Sequence, residues 1–335
     1  MINQLTKSLS AIQFFFDQKE PKLSNKKELK RLFTQLQINA SVSEMDNQTV
    51  NLLLLPYLVF ATSGGNSDNI YSINAAWILL YNAFNLLDKI EDHETSGILE
   101  NDLCDSTLLN LTTSLLFSAA SFLDDEQLGL SHNHCVYFQK SLHSTGLKMC
   151  SGQHMDLSIR EPSLAQVWQI AEEKSGAFFE LACHWGAYLA CAINDQYDKK
   201  MIENFMLFGN ELGLLIQLAN DIEGLWGNEK KDSDIQSGKW TFPIAYAMEV
   251  LEPSQRMCLL DILQNRKMNK NAEQKARSLI IHCGSLIYIY LEIEKHKQIA
   301  RNILASIQNN NPPNSAMLSL EQIINSFQFT GRFID

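Results

Sequence analysis

The stretch Leu87-Asp88-Lys89-Ile90-Glu91-Asp92-His93-Glu94 places two carboxylates, Asp88 and Asp92, four positions apart at the end of an apolar run. On a helix that spacing puts both on one face, about 6 Å apart along the axis. Adjacent like charges repel, and a cation between them removes the penalty. Magnesium accepts such carboxylates together with waters and phosphate oxygens in octahedral geometry. Taken alone, the pair reads equally well as an acidic, solvated helix end. A second cluster shifts that balance. In Gly213-Leu214-Leu215-Ile216-Gln217-Leu218-Ala219-Asn220-Asp221-Ile222-Glu223-Gly224, the residues Gln217, Asn220, Asp221 and Gly224 interrupt an otherwise apolar helix along one edge. Amide and carboxylate oxygens are hard ligands that suit magnesium, whereas zinc prefers His and Cys. Gly224, one turn after Asn220, is expected to leave room for a water or a phosphate oxygen.

Two further segments carry charge in unusual places. Asp234-Ile235-Gln236-Ser237-Gly238-Lys239-Trp240-Thr241-Phe242-Pro243 joins an acid to a turn shaped by Gly238 and Pro243, and offers Lys239 to an anionic ligand. Gly152-Gln153-His154-Met155-Asp156-Leu157 sets Gln153 and Asp156 on one face, and further along Lys174-Ser175-Gly176-Ala177-Phe178 opens an apolar stretch. A lysine in that setting is otherwise a surface residue whose stem lies along apolar neighbours.

The elements that must position these residues are helical. Apolar residues recur every three or four positions over Tyr71 to Glu94, Leu164 to Ala192, Met201 to Leu225, Thr241 to Leu251 and Ala272 to Ile307. No run alternates with period two, and no Asn-Gly or Asp-Gly hairpin signal occurs, so the fold is expected to be all-α. Polar breaks fall at Ser63 to Asp68, Thr95 to Gly97, Arg160 to Pro162, Gly227 to Gly238 and Asn309 to Asn314, none of them the length of an interdomain linker. Residues 1–45 are expected as a helical or flexible arm, with Lys19 to Lys30 a solvated basic face, and 46–335 as the catalytic domain.

Composition narrows the functions. With 45% hydrophobic and 19% charged residues, the 335-residue chain can bury a large core. Its net charge of -11 argues against a nucleic-acid partner, which requires clustered Lys and Arg. Seven cysteines without C-x-x-C spacing suit reduced thiols in a reducing compartment. The N-terminus lacks a secretory signal pattern. The longest apolar run, Leu52 to Ala61, is interrupted by Pro56 and Tyr57 and is far short of the roughly 20 residues of a membrane span. The expectation is a soluble, cytoplasmic protein with no integral membrane segment.

Together, these motifs resemble the class I isoprenoid synthases, and within them the trans-isoprenyl diphosphate synthases. The likeness runs from about Leu52 to Arg332 and rests on Gly152-Gln153-x-x-Asp156-Leu157, Lys174-Ser175, Gln217-x-x-Asn220-Asp221 and Asp234-x-x-x-Gly238-Lys239-x-Thr241-x-Pro243. The resemblance implies a bundle of antiparallel helices around a central apolar cavity, commonly a homodimer, with two acidic motifs facing each other across the cavity mouth. It implies three magnesium ions bridging Asp88, Asp92, Asn220 and Asp221 to a prenyl diphosphate substrate. Lys174 and Lys239 match diphosphate-holding lysines, with Ser175 in the place of the usual Thr. Gln153, Asp156, Gln217, Asp234 and Arg332 match residues of the substrate site. Phe84 and Phe178, like Trp77, Phe179 and Trp185, are candidates to line the cavity, and each reads also as plain core.

The departures matter as much. Chain-elongating members carry a Gly-Gly-Lys-Arg-x-x-Arg-Pro type segment and an Arg-Arg pair that bind isopentenyl diphosphate. Here the first is Thr49-Val50-Asn51-Leu52-Leu53-Leu54-Leu55-Pro56, with no cation, and His93 to Asp105 contains no arginine. The second motif reads Asn-Asp-x-x-Gly instead of Asp-Asp-x-x-Asp, and its Asn220 resembles the first residue of the Asn, Ser, Glu metal motif of terpene cyclases, with Gly224 and Asn228 at the Ser and Glu positions. Pheromone-modifying prenyltransferases of the ComQ type show a similar loss of cations and a Gly-Gln-His segment like Gly152-Gln153-His154. Terpene synthesis from a single allylic diphosphate is the first expectation. Transfer to a peptide or aromatic acceptor, a divergent polyprenyl diphosphate synthase, and a catalytically inactive regulatory subunit are the alternatives.

Overall fold

A computed structural model describes residues 1–19, 24–38, 47–92, 104–227, 232–264, 269–308 and 314–327. Apolar residues at helical spacing can be buried while each segment satisfies its own backbone, and the described residues accordingly form helices and no strand. In chain order these are α1 (Ile2–Phe14), α2 (Lys26–Ile38), α3 (Asn47–Leu53), α4 (Leu55–Thr62), α5 (Ile70–Glu91), α6 (Asp105–Ser121), α7 (Asp125–Leu128), α8 (His132–Ser158), α9 (Leu164–Ala171), α10 (Ala177–Asn194), α11 (Lys199–Gly224), α12 (Asp234–Ser237), α13 (Phe242–Val250), α14 (Pro253–Gln264), α15 (Lys270–His282), α16 (Ser285–Ile307) and α17 (Ser315–Ser326). Wider π turns occupy Phe15–Lys19 and Glu172–Gly176.

The helix expectations hold for α5, α11 and α13 to within a residue or two at their described ends. The run predicted over Leu164 to Ala192 is helical throughout, with the second π turn inside it, whereas the run predicted over Ala272 to Ile307 breaks into α15 and α16, bent by 54°. Gly284 lies at the bend with φ +87, a left-handed conformation that glycine adopts without penalty.

The chain divides into two compact units. The first comprises Met1–His143, Ala182–Phe205 and Gln308–Ile323. In it α1, α3, α4 and α6 pack on α5. Where the chain kinks between α3 and α4, buried side chains of α5 take the freed carbonyls: Trp77 Nε1 donates to Leu52 O at 2.9 Å, and Asn74 Nδ2 donates to Leu53 O at 3.1 Å and to Ser8 Oγ at 3.2 Å. Asn51 and Leu52 to Pro56 are all buried at this kink. The first helix of the expected arm thus belongs to the packed core, with Leu5, Ser8 and Ile12 buried. Within the basic stretch, Lys26 and Lys30 lie 3.8 Å and 2.6 Å from Asp17 Oδ1.

The second unit comprises Ser144–Leu181, Met206–Ile307 and Ile324–Asp335. Its core joins Leu225, Ile235, Ile244, Leu259, Ile280 and Leu286 from six segments. Glu273 of α15 reaches back to the loop before α12: it accepts from Ser233 Oγ and Gln236 Nε2, both at 2.8 Å, and pairs with Arg277.

Ile70–Glu91 and Leu164–Asn194 are, by length and composition, apolar enough to cross a bilayer, which corrects the expectation drawn from the longest apolar run. Of their most apolar windows 61% and 83% is buried inside the protein, so packing accounts for that character.

Candidate active site

Lys174 and Ser175 lie on the π turn that joins α9 to α10. The N–H of Ala177 donates to Glu172 O, five residues back. Such a widening inside a helix recurs at functional sites, because it re-aims side chains without breaking the rod. Glycines make the room for it. A Cβ on Gly213 of α11 would lie 2.3 Å from the Ser175 carbonyl oxygen, and one on Gly152 of α8 would lie 2.7 Å from Glu173 Cβ. The Gly of the Gly-Gln motif is therefore a packing requirement, and Gln153 and Asp156 follow it on the same helix.

The turn presents a connected set of polar groups. Lys174 Nζ stands 2.6 Å from Asp156 Oδ2, both side chains about four-fifths buried. Ser175 Oγ donates to Gln217 Oε1 at 2.8 Å, and Gln217 Nε2 donates to Asp221 Oδ1 at 2.8 Å. Asp221 Oδ2 accepts from the backbone N–H of Phe242, the first residue of α13, at 2.9 Å. Asp221 is buried, at 5% exposure, and works as an internal anchor between α11 and α13. Its neighbour Asn220 is exposed. The adjacent pair thus splits between an inward carboxylate and an outward amide.

Burial pushes the Asp221 carboxyl up to about 7; the Phe242 N–H and Gln217 oppose this, while nearby Asp234 adds to it. A carboxyl raised above its ordinary 3.8 contributes most stability while protonated, and that contribution is lost as pH rises toward the folded value. Between about pH 4 and about pH 7, the thermal midpoint of the metal-free protein is expected to fall more steeply for wild type than for Asp221→Asn. Equal slopes in a pH series of melts would contradict the buried anchor.

Asp234 opens α12 behind a capping box in which Ser233 and Gln236 satisfy each other's backbone, and it is 4% exposed. A Cβ on Gly224 would lie 2.2 Å from Asp234 Oδ2. The space that Gly224 was expected to reserve for a water or phosphate oxygen is filled by this carboxylate. Gly238 closes the short helix at φ +69, and the Lys239 N–H donates to Asp234 O at 2.9 Å. The Ser233, Gln236, Glu273 and Arg277 cluster that holds this loop was not legible in the sequence. It joins residues some forty positions apart and has no motif spacing of its own.

The first acidic motif belongs to the other unit. Asp88 lies in the last turn of α5 and Asp92 is its C-cap, with the N–H of Asp92 donating to Asp88 O at 2.9 Å. Both are partly exposed, as is Phe84 one turn earlier. Trp77 and Trp185 are fully buried and Phe178 and Phe179 nearly so. Arg332 lies outside the described residues, as do Asn228 and most of His93 to Asp105.

Magnesium suits what these helix ends offer. In the first unit Asp88, Glu91 and Asp92 stand at the C-terminal end of α5, and in the second the exposed Asn220 stands in the last turns of α11, whereas Asp221 beside it is buried with both carboxylate oxygens already accepting hydrogen bonds. Both ends carry the negative pole of a helix dipole, which favours a cation. Among the described residues no three His, Cys, Asp or Glu side chains form a ready-made cage. Magnesium is commonly held by one or two carboxylates plus waters and substrate phosphates, so a complete protein cage is not needed.

A sequence model of the polyprenyl synthetase family matches residues 61–280. The chain is 26% identical over 274 residues to a geranylgeranyl diphosphate synthase of Saccharolobus solfataricus, covering 77% of this chain and 80% of that protein. It is 23% identical over 245 residues to the tryptophan prenyltransferase ComQ of Bacillus spizizenii, covering 72% and 75%. A match to a short chain isoprenyl diphosphate synthase of Methanocaldococcus jannaschii, 26% identical, spans 42% of this chain and only 44% of that protein. In fold, the chain superposes on a geranylgeranyl pyrophosphate synthase from Corynebacterium glutamicum, solved with isoprenyl diphosphate and magnesium, with a TM-score of 0.77 at 15% identity, covering 97% and 98%.

Proposed function

Because this chain belongs to the polyprenyl synthetase family, we propose that it ionises a single allylic prenyl diphosphate and delivers the resulting cation to an acceptor other than isopentenyl diphosphate. The observation that carries this is the kink between α3 and α4. Where chain-elongating members are expected to hold a second diphosphate with Lys and Arg, this chain has buried, uncharged Asn51 to Pro56, fastened by Trp77 and Asn74. A free second diphosphate has no cation to meet there.

Asp88 and Asp92 in the first unit and Asn220 in the second each stand at a helix end that would attract magnesium, which would neutralise the negative charge that grows on the leaving diphosphate. Lys174 and Lys239 add fixed positive charge, Lys174 pre-aimed by Asp156. Ser175 and Gln217 orient the polar wall, and Asp221 keeps α13 and the Lys239 loop in register with α11. Preorganised charge of this kind lowers the barrier without costly rearrangement during the reaction.

Transfer to an electron-rich aromatic acceptor takes first place through the relative named for tryptophan prenylation, which matches 72% of this chain. Intramolecular cyclisation, the first expectation from sequence, is the second reading, favoured by Asn220 in place of an aspartate. The test is incubation with magnesium and prenyl diphosphates of increasing length, alone, with isopentenyl diphosphate, and with a tryptophan-containing peptide, followed by mass spectrometry. Prenylated peptide is the expected product. A terpene hydrocarbon or alcohol from one substrate alone assigns cyclisation, and longer diphosphates formed only with isopentenyl diphosphate overturn the proposal.

A further inference from the structure

Thr241 has no role in the site as described so far, yet it occupies an unusual position. It is the N-cap of α13, a nine-residue helix. An N-cap threonine ordinarily turns its hydroxyl onto the helix's own N–H groups. Here it makes no capping bond. The residue is 4% exposed, and Oγ1 is buried without any hydrogen-bond partner. A buried hydroxyl left unpaired is disfavoured in a folded protein unless something else uses it. The neighbouring groups say what that is. Phe242 N–H, next in the chain, is already given to Asp221, and Pro243 has no N–H. Lys239 stands two residues before and bears electrostatically on Asp221. The unpaired hydroxyl therefore belongs to the residue at the positive end of the α13 dipole, two positions after Lys239 and one before the N–H that holds the second acidic motif, where a hard, negatively polarised oxygen fits.

Resting on the functional reading above, we propose that Thr241 is a ligand-binding residue whose hydroxyl donates to an oxygen of the diphosphate–magnesium assembly. That oxygen belongs either to the diphosphate or to a water on the metal, and the two are separable. The full-length protein is titrated calorimetrically with inorganic diphosphate at saturating magnesium, and separately with manganese alone, as wild type, Thr241→Val and Thr241→Ser. Valine keeps the shape and removes the donor. Thr241→Val is expected to bind diphosphate about tenfold more weakly, about 1.4 kcal/mol, at an unchanged thermal midpoint, and Thr241→Ser is expected to restore wild-type binding. A parallel loss of manganese affinity assigns the oxygen to metal-bound water, and unchanged manganese affinity assigns it to the diphosphate. Equal diphosphate affinity in wild type and Thr241→Val overturns the assignment. So does a lowered midpoint in Thr241→Val with no rescue of binding by serine, which makes the hydroxyl structural. Wild type that binds no diphosphate at saturating magnesium overturns the functional reading itself, a result distinct from the other two.

Discussion

Asp92→Ala is expected to lower kcat by about a thousandfold, about 4 kcal/mol of barrier, while the metal-free protein melts at the wild-type temperature or slightly above it. The two halves of this result have one cause. Asp92 caps the C-terminal end of α5, where Asp88 and Glu91 already stand and Lys89 is the basic residue of the last turn. A carboxylate at that pole of the helix dipole is disfavoured by about 0.3–1 kcal/mol, and its like-charged neighbours add to the strain. Removing it relieves the empty protein. Turnover suffers because the same charge is what draws a cation to the helix end. A solvated acidic terminus would give the same small change in stability but would keep activity. Steady-state rates at saturating magnesium, paired with melts in chelator, distinguish the two, and activity within about tenfold of wild type would remove Asp92 from the metal site.

Gly213→Ala is expected to have a comparably large effect by a different route. The added methyl would lie 2.3 Å from the Ser175 carbonyl oxygen and 2.7 Å from the Gly176 nitrogen, both backbone atoms that cannot swing aside. Overpacking a helix contact of this kind costs about 1–3 kcal/mol. The displacement falls on the π turn carrying Lys174 and Ser175, so their contacts to Asp156 and Gln217 should loosen together. The expected outcome is an earlier urea midpoint and a kcat loss of about a hundredfold or more, beyond what reduced stability explains, since small misplacements of positioning groups are costly. Near-normal activity in the folded variant would show that the π turn tolerates movement.

Much of the architecture was legible because burial and helical period act locally: α5, α11 and α13 each announce themselves by spacing alone. Part of the site was legible for the same reason. Lys174 and Ser175 and the Gln217, Asn220 and Asp221 edge interrupt apolar helices, Asp234 through Lys239 leads into a turn marked by Gly238, and within the second unit the fold joins Ser175, Gln217 and Asp221 by hydrogen bonds. What escaped depends on contacts distant in sequence. The burial of Asp221 follows from α13 arriving over it, and the filling of the Gly224 notch follows from where Asp234 lands. Neither has a local signal. The α15–α16 bend did have one, since Gly284 follows Cys283 inside an otherwise regular run. A single glycine was outweighed there by the periodicity around it.

The π turn at Glu172–Gly176 also bears on how relatives are to be compared with this chain. A widened turn absorbs one residue more than an α-helix of the same rise, so each side chain beyond it is rotated by roughly 100° from where an uninterrupted helix would carry it. A gapless alignment of α9 through α10 with a protein lacking the turn would pair Phe178, Glu180 and Trp185 with residues pointing elsewhere. Identity scores across this segment would then understate spatial equivalence, and substitutions transferred by column number would land on the wrong side of the helix. The correct correspondence places a one-residue gap at the turn, and variants designed from homologues need that phase correction before a codon is chosen.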